Sequence, residues 1–592
     1  MAGVQWLQAA VHGAVIGIEV LPGQAVQAGQ TLLVQEAMKM EVPLLAPSAG
    51  HVREIAVAVG DVVPEGTPLL ALEPGAVTAA ASAGAAGQAP DPTTPRADLL
   101  ALQARLAQTQ DAARPDAVAR RHAAGRRTAR EVVAALLDPG SFSEYGALAV
   151  AAQRSRRSLQ ELQAQTPADG QITGTGTVAG RPVAVLVYDY TVLAGTQGVF
   201  NHHKSDRLLA LAAQHRWPVL LWAEGGGGRP GDVDWLGVAG LDCSTFARFA
   251  ALSGQVPLVG IAAGRCFAGN AALLGCCDVI IATEGSSIGM GGPAMIEGGG
   301  LGRVDADAVG PVAVLAPAGV VDMRVADDDA AIQMARQVLL GLTAGVLPGV
   351  HAPGADVQWL RQALPANRNA LYDPRRIVPT LMDAGSVLEL RRDFGSGLIT
   401  ALARLQGRAV AVVASQPHHL GGALDAPACD KLARFMQLAD AHGLPLITLV
   451  DTPGFMVGPA NEATGMVRHA ARLFVTAAAL RVPVLSVVLR RAYGLGAMAL
   501  TAGHFHAPVA TCAWPSGEFG AMGLEGAVRL GFSKELAAAP EAERAALFER
   551  LLAQAQAKGQ ALNMASFLEI DEVIDPADTR DWLARHLAVA CA

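Results

Sequence analysis

The chemistry legible in this chain is carried by one lysine and two glycine-rich turns. Lys39 stands between two methionines in Glu36-Ala37-Met38-Lys39-Met40, at the midpoint of an internal repeat. A single amine lifted from a sheet by a tight turn is available for acylation, whereas an ordinary surface lysine needs no such setting. The turns are Gly264-Arg265-Cys266-Phe267-Ala268-Gly269-Asn270 and Arg490-Arg491-Ala492-Tyr493-Gly494-Leu495-Gly496-Ala497, and each follows an apolar run. A glycine turn entering a helix presents backbone N–H groups that have no acceptor within the helix. Two such donors aimed at one point can hold a developing oxyanion. Glycines can also serve close packing alone, but their recurrence at equivalent places favours function. No Ser-His-Asp arrangement accompanies them, and His469 and His504 are given no role.

Two duplications supply the elements that must position these groups. Around Lys39, residues match at a spacing of thirty-seven: Gly13 with Gly50, Val15 with Val52, Ile18 with Ile55, Gly23 with Gly60, Val26 with Val63, Gly29 with Gly66 and Leu32 with Leu69. The pattern predicts two half-units of short strands, with Lys39 on a turn between them. Further along, a spacing near 227 relates Gly170 to Gly397, Gly180-Arg181 to Gly407-Arg408, Lys204 to Lys431, Arg207 to Arg434 and Pro218 to Pro445. Leu136-Leu137-Asp138 recurs as Leu381-Met382-Asp383 at a longer spacing. Within each half, apolar runs such as 183–187, 219–222, 258–262, 446–450 and 484–489 alternate with helical patterns, which predicts stacked β-α units. The expected division is 1–74 for the lysine-bearing domain, 75–97 for a linker rich in Ala, Gly and Pro, 98–345 for a first lobe and 346–592 for a second.

The N-terminal repeat with Ala-Met-Lys-Met resembles the biotinyl domain of biotin-dependent carboxylases. Over residues 115–592 the sequence resembles the carboxyltransferase β-subunits of acyl-CoA carboxylases. The second likeness is carried by Asp451-Thr452-Pro453-Gly454-Phe455, Arg490-Arg491-Ala492-Tyr493-Gly494, Ala513-Trp514-Pro515-Ser516, Ala521-Met522-Gly523 with Glu525-Gly526-Ala527, and Ile574-Asp575-Pro576-Ala577-Asp578-Thr579-Arg580. One departure is Gly225-Gly226-Gly227-Gly228-Arg229, where the family usually has Ser-Gly-Gly-Ala-Arg.

These resemblances imply a multidomain chain: a small all-β biotinyl sandwich, then an α/β carboxyltransferase of two duplicated crotonase-like (ClpP/crotonase) lobes. They imply biotin attached covalently at Lys39, and transfer of its carboxyl group to a short-chain acyl-CoA. The amides of Gly269 and Asn270 would hold the thioester enolate, and those of Leu495 and Gly496 the ureido oxygen. Ala268, Gly494 and Ala497 are expected around the cofactor, and Arg126, Arg127, Lys204, Gly226 and Gly227 around acyl-CoA. Acyl-CoA would lie mainly on the first lobe and biotin on the second lobe of a neighbouring subunit, in a homo-oligomer of hexamer type. Two other readings are a biotin-dependent decarboxylase coupled to a sodium pump and a non-catalytic carrier or scaffold.

Composition sets the remaining bounds. A chain of 592 residues is long enough for three or four domains, and 51% hydrophobic residues with 65 glycines suit buried parallel strands and tight turns. A net charge of −8 gives no nucleic-acid footprint. Seven cysteines without a Cys-x-x-Cys point to a reducing compartment and no metal site. The start lacks a basic region ahead of an apolar run, and the apolar run 308–321 contains two prolines, so a cytoplasmic protein outside the membrane is expected. No Gly-x-x-x-x-Gly-Lys-Ser/Thr loop for ATP is present, so a separate biotin carboxylase subunit and a biotin protein ligase are the expected partners. The basic stretch 120–130 is either a solvated helix face or a phosphate contact.

Overall fold

The computed structural model describes residues 3–77, 94–234, 240–349 and 351–591. Most of the expected linker lies outside these residues. The chain forms two compact units, Met1–Ala101 and Leu102–Ala592. Among the described residues, no helix is long and apolar enough to cross a membrane.

The first unit is built from the thirty-seven-residue repeat. One four-stranded sheet runs Gln5–Gln8, Pro68–Pro74, Gly50–Ile55, Ala25–Val26, and the other Met40–Leu45, Thr31–Ala37, Gly13–Ile18, Val62–Val63. Each half lends its two-residue strand to the other half's sheet: Ala25–Val26 pairs with Gly50 and His51, and Val62–Val63 with Gly13 and Ala14. The repeated apolar positions Val15 and Val52, Val26 and Val63, and Leu32 and Leu69 are all buried. Gly13 and Gly50 are glycines for one reason twice over. A Cβ on either would lie 2.3 Å from a carbonyl oxygen, of Glu36 and Glu73 respectively.

The second unit contains two sheets related by the spacing of 227. The first has seven strands in the order Met323–Val325, Val279–Thr283, Leu258–Ala262, Val219–Trp222, Arg181–Tyr188, Gln171–Val178, Ser143–Tyr145. The second runs Leu388–Leu390, Leu398–Leu405, Arg408–Ser415, Leu446–Thr452, Val484–Tyr493, Ala510–Ala513, Glu572–Val573, with Glu518–Gly520 paired to the far end of Val484–Tyr493. In both, a central parallel set carries nearly unbroken apolar runs because helices cover its two faces.

Duplication holds down to single bonds. Asp138 accepts the N–H groups of Ala179 (3.0 Å) and Gly180 (2.8 Å) and meets Arg336, while Asp383 accepts those of Gln406 (2.9 Å) and Gly407 (2.7 Å) and meets Arg580. The two sheets share one hydrophobic core. Helix Asp328–Gly341 buries Ala331, Ile332, Ala335, Val338 and Leu339 in that core. Polar contacts stitch the same joint, with Arg391 on Asp322 at 2.7 Å and His442 on Asp278 at 3.0 Å, both largely buried.

Lys204 and Lys431 occupy equivalent places and do equivalent work. The Lys431 ammonium, 1% exposed, donates to the carbonyls of Arg391 (2.8 Å), Phe394 (2.9 Å) and Leu398 (2.7 Å). Lys204, 8% exposed, donates to Ala168 (2.9 Å) and Gln171. Replacing Lys431 by methionine removes the donor for three carbonyls, at about 1–3 kcal/mol for each group left unsatisfied. Lys431→Met is therefore expected to lower the unfolding free energy by at least about 3 kcal/mol, and Lys204→Met by less. Urea denaturation followed by far-UV circular dichroism measures both.

Candidate functional site

In the first unit, Lys39 sits at the tip of a two-residue hairpin. Ala37 faces Met40 across the strands, and the connecting Met38 and Lys39 have φ of 50° and 65°. Two positive φ values make this a turn of the I′ kind, whose twist suits a hairpin but which ordinarily takes Asn-Gly. Left-handed conformations on bulky residues cost of order 1–3 kcal/mol each and gather at functional sites. The side chains at the tip gain no packing in return: Met38 is 98% exposed, Met40 is 69% exposed, and Lys39 is exposed as well.

In the second unit, the two glycine-rich turns occupy matching places at the ends of matching strands. The first lobe's strand Leu258–Ala262 breaks at Gly264 and resumes as Arg265–Phe267, parallel to Ser287–Gly289. Ala268, at φ 50° and ψ −120°, then starts the helix Gly269–Gly275. The first bond across this helix is from Ala272 N–H to the Ala268 carbonyl, so the amides of Gly269, Asn270 and Ala271 are not spent within it. In the second lobe, strand Val484–Tyr493 runs straight into the helix Gly494–Leu500, and Gly494 has φ 56°. Ala268 and Gly494 are equivalent in the duplication. So are Asn270 and Gly496.

Each turn faces a second glycine segment. Gly227 (φ 89°) follows strand Val219–Trp222, and Gly454 (φ 116°) follows Leu446–Thr452. The bridges Gln197 to Gly228 and Leu424 to Phe455 anchor these segments alike. Space is short throughout. A Cβ on Gly496 would lie 2.7 Å from the Gly454 backbone, and one on Gly227 would lie 2.6 Å from Ala268 Cβ. At Gly269 the obstacle is a side-chain end, Gln197 Oε1 at 2.0 Å.

Sequence reading missed the carboxylates beneath these turns. Glu224, just before the first glycine segment, takes the Arg121 guanidinium in two bonds of 2.8 and 2.9 Å. Its counterpart Asp451, fully buried, takes Arg490 at 2.9 Å and Arg491 at 2.8 Å. Burial pushes the Asp451 carboxyl up, but the Arg491 and Arg490 guanidiniums outweigh burial and hold it below the usual carboxylate range. Arg490 also donates to the carbonyls of Arg368 and Ala370, so the turn is braced from below. The repeated acid before each glycine segment was the available signal.

Several expected contacts fall elsewhere. The Lys204 ammonium is buried and donates to the carbonyls of Ala168 and Gln171. The stretch 120–130 is solvated at Arg120 and over 122–125, while four of its arginines, Arg121, Arg126, Arg127 and Arg130, are paired with carboxylates. Arg126 bonds Asp328 and Thr283 at 2.8 Å each, Arg127 pairs with Asp329, and Arg130 pairs with Glu144 at 3.0 Å. Arg120 stays exposed, at the edge of a cavity of about 480 Å³ lined by Arg114, Arg157, Thr191 and Leu193. Gly226 lies close to that segment, its N–H donating to the Ala194 carbonyl at 3.2 Å. Ala497 is buried behind the second turn, whereas Leu495 is 60% exposed.

Duplicated lobes that each end a central strand in a positive-φ turn and a helix, in a chain that also presents a lysine on a hairpin tip, have the parts of a biotin-dependent carboxyltransferase, and the family matches show that class. The chain belongs to the carboxyl transferase family: the model of the carboxyl transferase domain matches residues 120–592, and that of the biotin-requiring enzyme domain matches 8–72. Its covalent cofactor is biotin. Among relatives, the methylmalonyl-CoA carboxyltransferase 12S subunit of Propionibacterium freudenreichii subsp. shermanii is 36% identical, over 79% of this chain and 90% of its own length. The propionyl-CoA carboxylase beta chain of Saccharopolyspora erythraea is 32% identical, over 84% and 94%. Among solved structures, a single-chain, multi-domain long-chain acyl-CoA carboxylase is 50% identical with a TM-score of 0.79, over 99% of this chain. This chain spans 56% of that protein's length. A transcarboxylase 12S structure with hydrolysed methylmalonyl-coenzyme A bound gives a TM-score of 0.74 at 32% identity, over 84% of this chain and 96% of that one.

The obstacles at the two turns differ in kind, and stability should show it. Overpacking against a backbone typically costs about 1–3 kcal/mol, while a side-chain end can swing aside. Gly496→Ala is therefore expected to lower the melting temperature more than Gly269→Ala. Measured against Gln197→Ala alone, the cost of Gly269→Ala should vanish while that of Gly496→Ala should persist, since Gln197 is buried and bonded to Tyr188 and its loss has a cost of its own. Differential scanning calorimetry of these variants checks this.

Proposed function

We propose that Lys39 carries the biotin and that the two turns are paired oxyanion sites. The amides of Gly269 and Asn270 serve the thioester oxygen of an acyl-CoA, and those of Leu495 and Gly496 serve the ureido oxygen. One observation carries this reading: the same strand, positive-φ turn and helix recur in both lobes, at Ala268 and at Gly494. The hairpin tip suits an amide-linked group, because Lys39 is exposed and its neighbours are two methionines in solvent. When bound, biotin supplies a carboxyl group held on a ureido nitrogen. The chain's own part is to donate N–H groups where oxygen gains charge and to keep water away, so that neither a protein nucleophile nor a metal is needed. Ala268 and Gly494 set the direction of those donors, and Ala497 backs the second helix.

The substrate is an acyl-CoA. Since Arg126, Arg127 and Lys204 are engaged internally, its phosphates fall to Arg120 and Arg157 at the cavity beside Leu193, with Gly226 and Gly227 along the path. The 50% identity to a long-chain acyl-CoA carboxylase favours a longer acyl group than the short one expected from the sequence. The protein is a homo-oligomer in which the first lobe of one copy faces the second lobe of another, as a hexamer of the kind named for the 12S relative. It works in the cytoplasm, with biotin protein ligase loading Lys39.

Two experiments test this. Lys39→Arg keeps the charge but loses the acylable amine, so the folded variant should give no streptavidin signal and no overall carboxylation. A biotin signal that persists in it would remove Lys39 from the site. The second concerns supply: residues 1–592 offer no phosphate-cradling loop for ATP. The purified, biotinylated chain should hydrolyse no ATP with bicarbonate, yet form carboxylated acyl-CoA once a separate biotin carboxylase is added. An acyl-CoA panel in the same assay reads the chain length. Bicarbonate-dependent ATP cleavage by the homogeneous chain would overturn the need for that partner.

A further inference from the structure

We propose that the side chain of Asn270 is a positioning residue for the first lobe's turn, a task separate from that of its backbone amide. This rests on the reading of that turn as an oxyanion site. Asn270 is fully buried, and its carboxamide joins two segments far apart in sequence. Its Oδ1 accepts the Gly227 N–H at 3.0 Å, and its Nδ2 donates to the Gly195 carbonyl at 3.3 Å. One partner can only donate and the other only accept, so the orientation of the amide is fixed by the network. A single side chain in the first turn of the helix thus ties down both the glycine segment 225–228 and the loop of Leu193 and Ala194. That loop carries strain of its own, with φ of 48° and 53° at those two residues.

The clamp decides which donors remain for a ligand. Gly227 N–H is taken by Oδ1 and Gly226 N–H by the Ala194 carbonyl, which leaves the amides of the helix start as the free donors at this turn. It also depends on a missing side chain. A Cβ on Gly225 would lie 2.7 Å from Asn270 Nδ2 and 2.0 Å from the Gly195 carbonyl oxygen. Gly225 is one of the departures noted from the resembled pattern, which has serine there, and the vacated space holds the carboxamide. The second lobe has no such device. Gly496 stands where Asn270 does, and it closes directly on the Gly454 backbone. One turn is therefore held by backbone contact and the other by two side-chain bonds, which chemistry can remove without touching the main chain.

Asn270→Ala keeps the Cβ and the amide but deletes both bonds, and Gly225→Ser sets a Cβ against both the carboxamide and the Gly195 carbonyl that it bonds. In the biotinylated full-length chain, with transfer followed from malonyl-CoA to free biotin, each is expected to lower kcat by about 10- to 100-fold, with KM for the CoA ester held within about twofold. The double variant should be no slower than the slower single one, because both changes remove the same clamp. Hydrogen exchange at the Gly227 amide gives a readout that needs no activity, and Asn270→Ala should speed it by about tenfold or more. If Asn270→Ala does not fold, Asn270→Ser keeps one hydroxyl in place of the carboxamide's two polar ends, so it should fall between wild type and Gly225→Ser. Absence of transfer by the wild-type chain would count against the oxyanion reading, and the Gly227 exchange rate would then decide the clamp alone. Unchanged exchange at Gly227, wild-type kcat in a folded Asn270→Ala, or losses that multiply in the double variant would each overturn the clamp.

Discussion

The structure depends on one constraint, which is that a backbone N–H can serve a ligand only where the chain has no use for it. Such donors exist at the first turn of a helix, and there they are normally lost to water. Here each lobe leads a buried parallel strand into a helix through a residue at positive φ, Ala268 or Gly494, so that spare donors emerge at the sheet's end. Gly225 in the first lobe and Gly496 in the second let two stretches of backbone approach within a distance that no side chain would tolerate. The ion pairs of Glu224 with Arg121 and of Asp451 with Arg490 and Arg491 brace that approach from beneath. A buried charge left alone is costly, and each is therefore paired.

Duplication has preserved geometry more closely than chemistry. Strands, bridges, the acids before the glycine segments and the buried lysines recur in register. Side chains around the two turns have diverged. Tyr493, beside the second turn, meets Glu518, whereas Phe267 at the equivalent place packs against Gly292. The first lobe has a buried carboxamide where the second has bare backbone. Two sites with one backbone and different walls can receive two different ligands, as the proposed pairing of a CoA ester with a ureido ring demands. That is the division of labour a group transfer requires.

Much of this was legible in the sequence, and the reasons are physical. Parallel strands buried on both faces read as unbroken apolar runs, so 183–187, 258–262 and 446–450 could be placed. Internal repeats set the register without any relative to compare, and Gly13 and Gly50 stood where backbone had to approach backbone. The ion pairs of Arg121 with Glu224 and of Arg126 with Asp328 were not legible, because each joins residues more than a hundred positions apart whose proximity is created only by the fold. The support that Lys204 gives to two carbonyls was not legible for a related reason: a buried ammonium bonded to main chain has no pattern of its own. Only the recurrence of Lys204 as Lys431 pointed to it, since a residue kept in both halves serves what the halves share. Binding is what distinguishes them.

The common core of the two lobes bears on how such a molecule can move. Duplicated domains often keep a seam along which one copy swings against the other, and many enzymes use that hinge to open and shut. In this chain helix Asp328–Gly341 is packed into a core that draws on both sheets, and Arg391, Asp322, His442 and Asp278 are bonded across the same joint. Opening the seam would expose that core and strand those charges. The lobes thus form a single stator, and any motion along that seam would have to bear both costs.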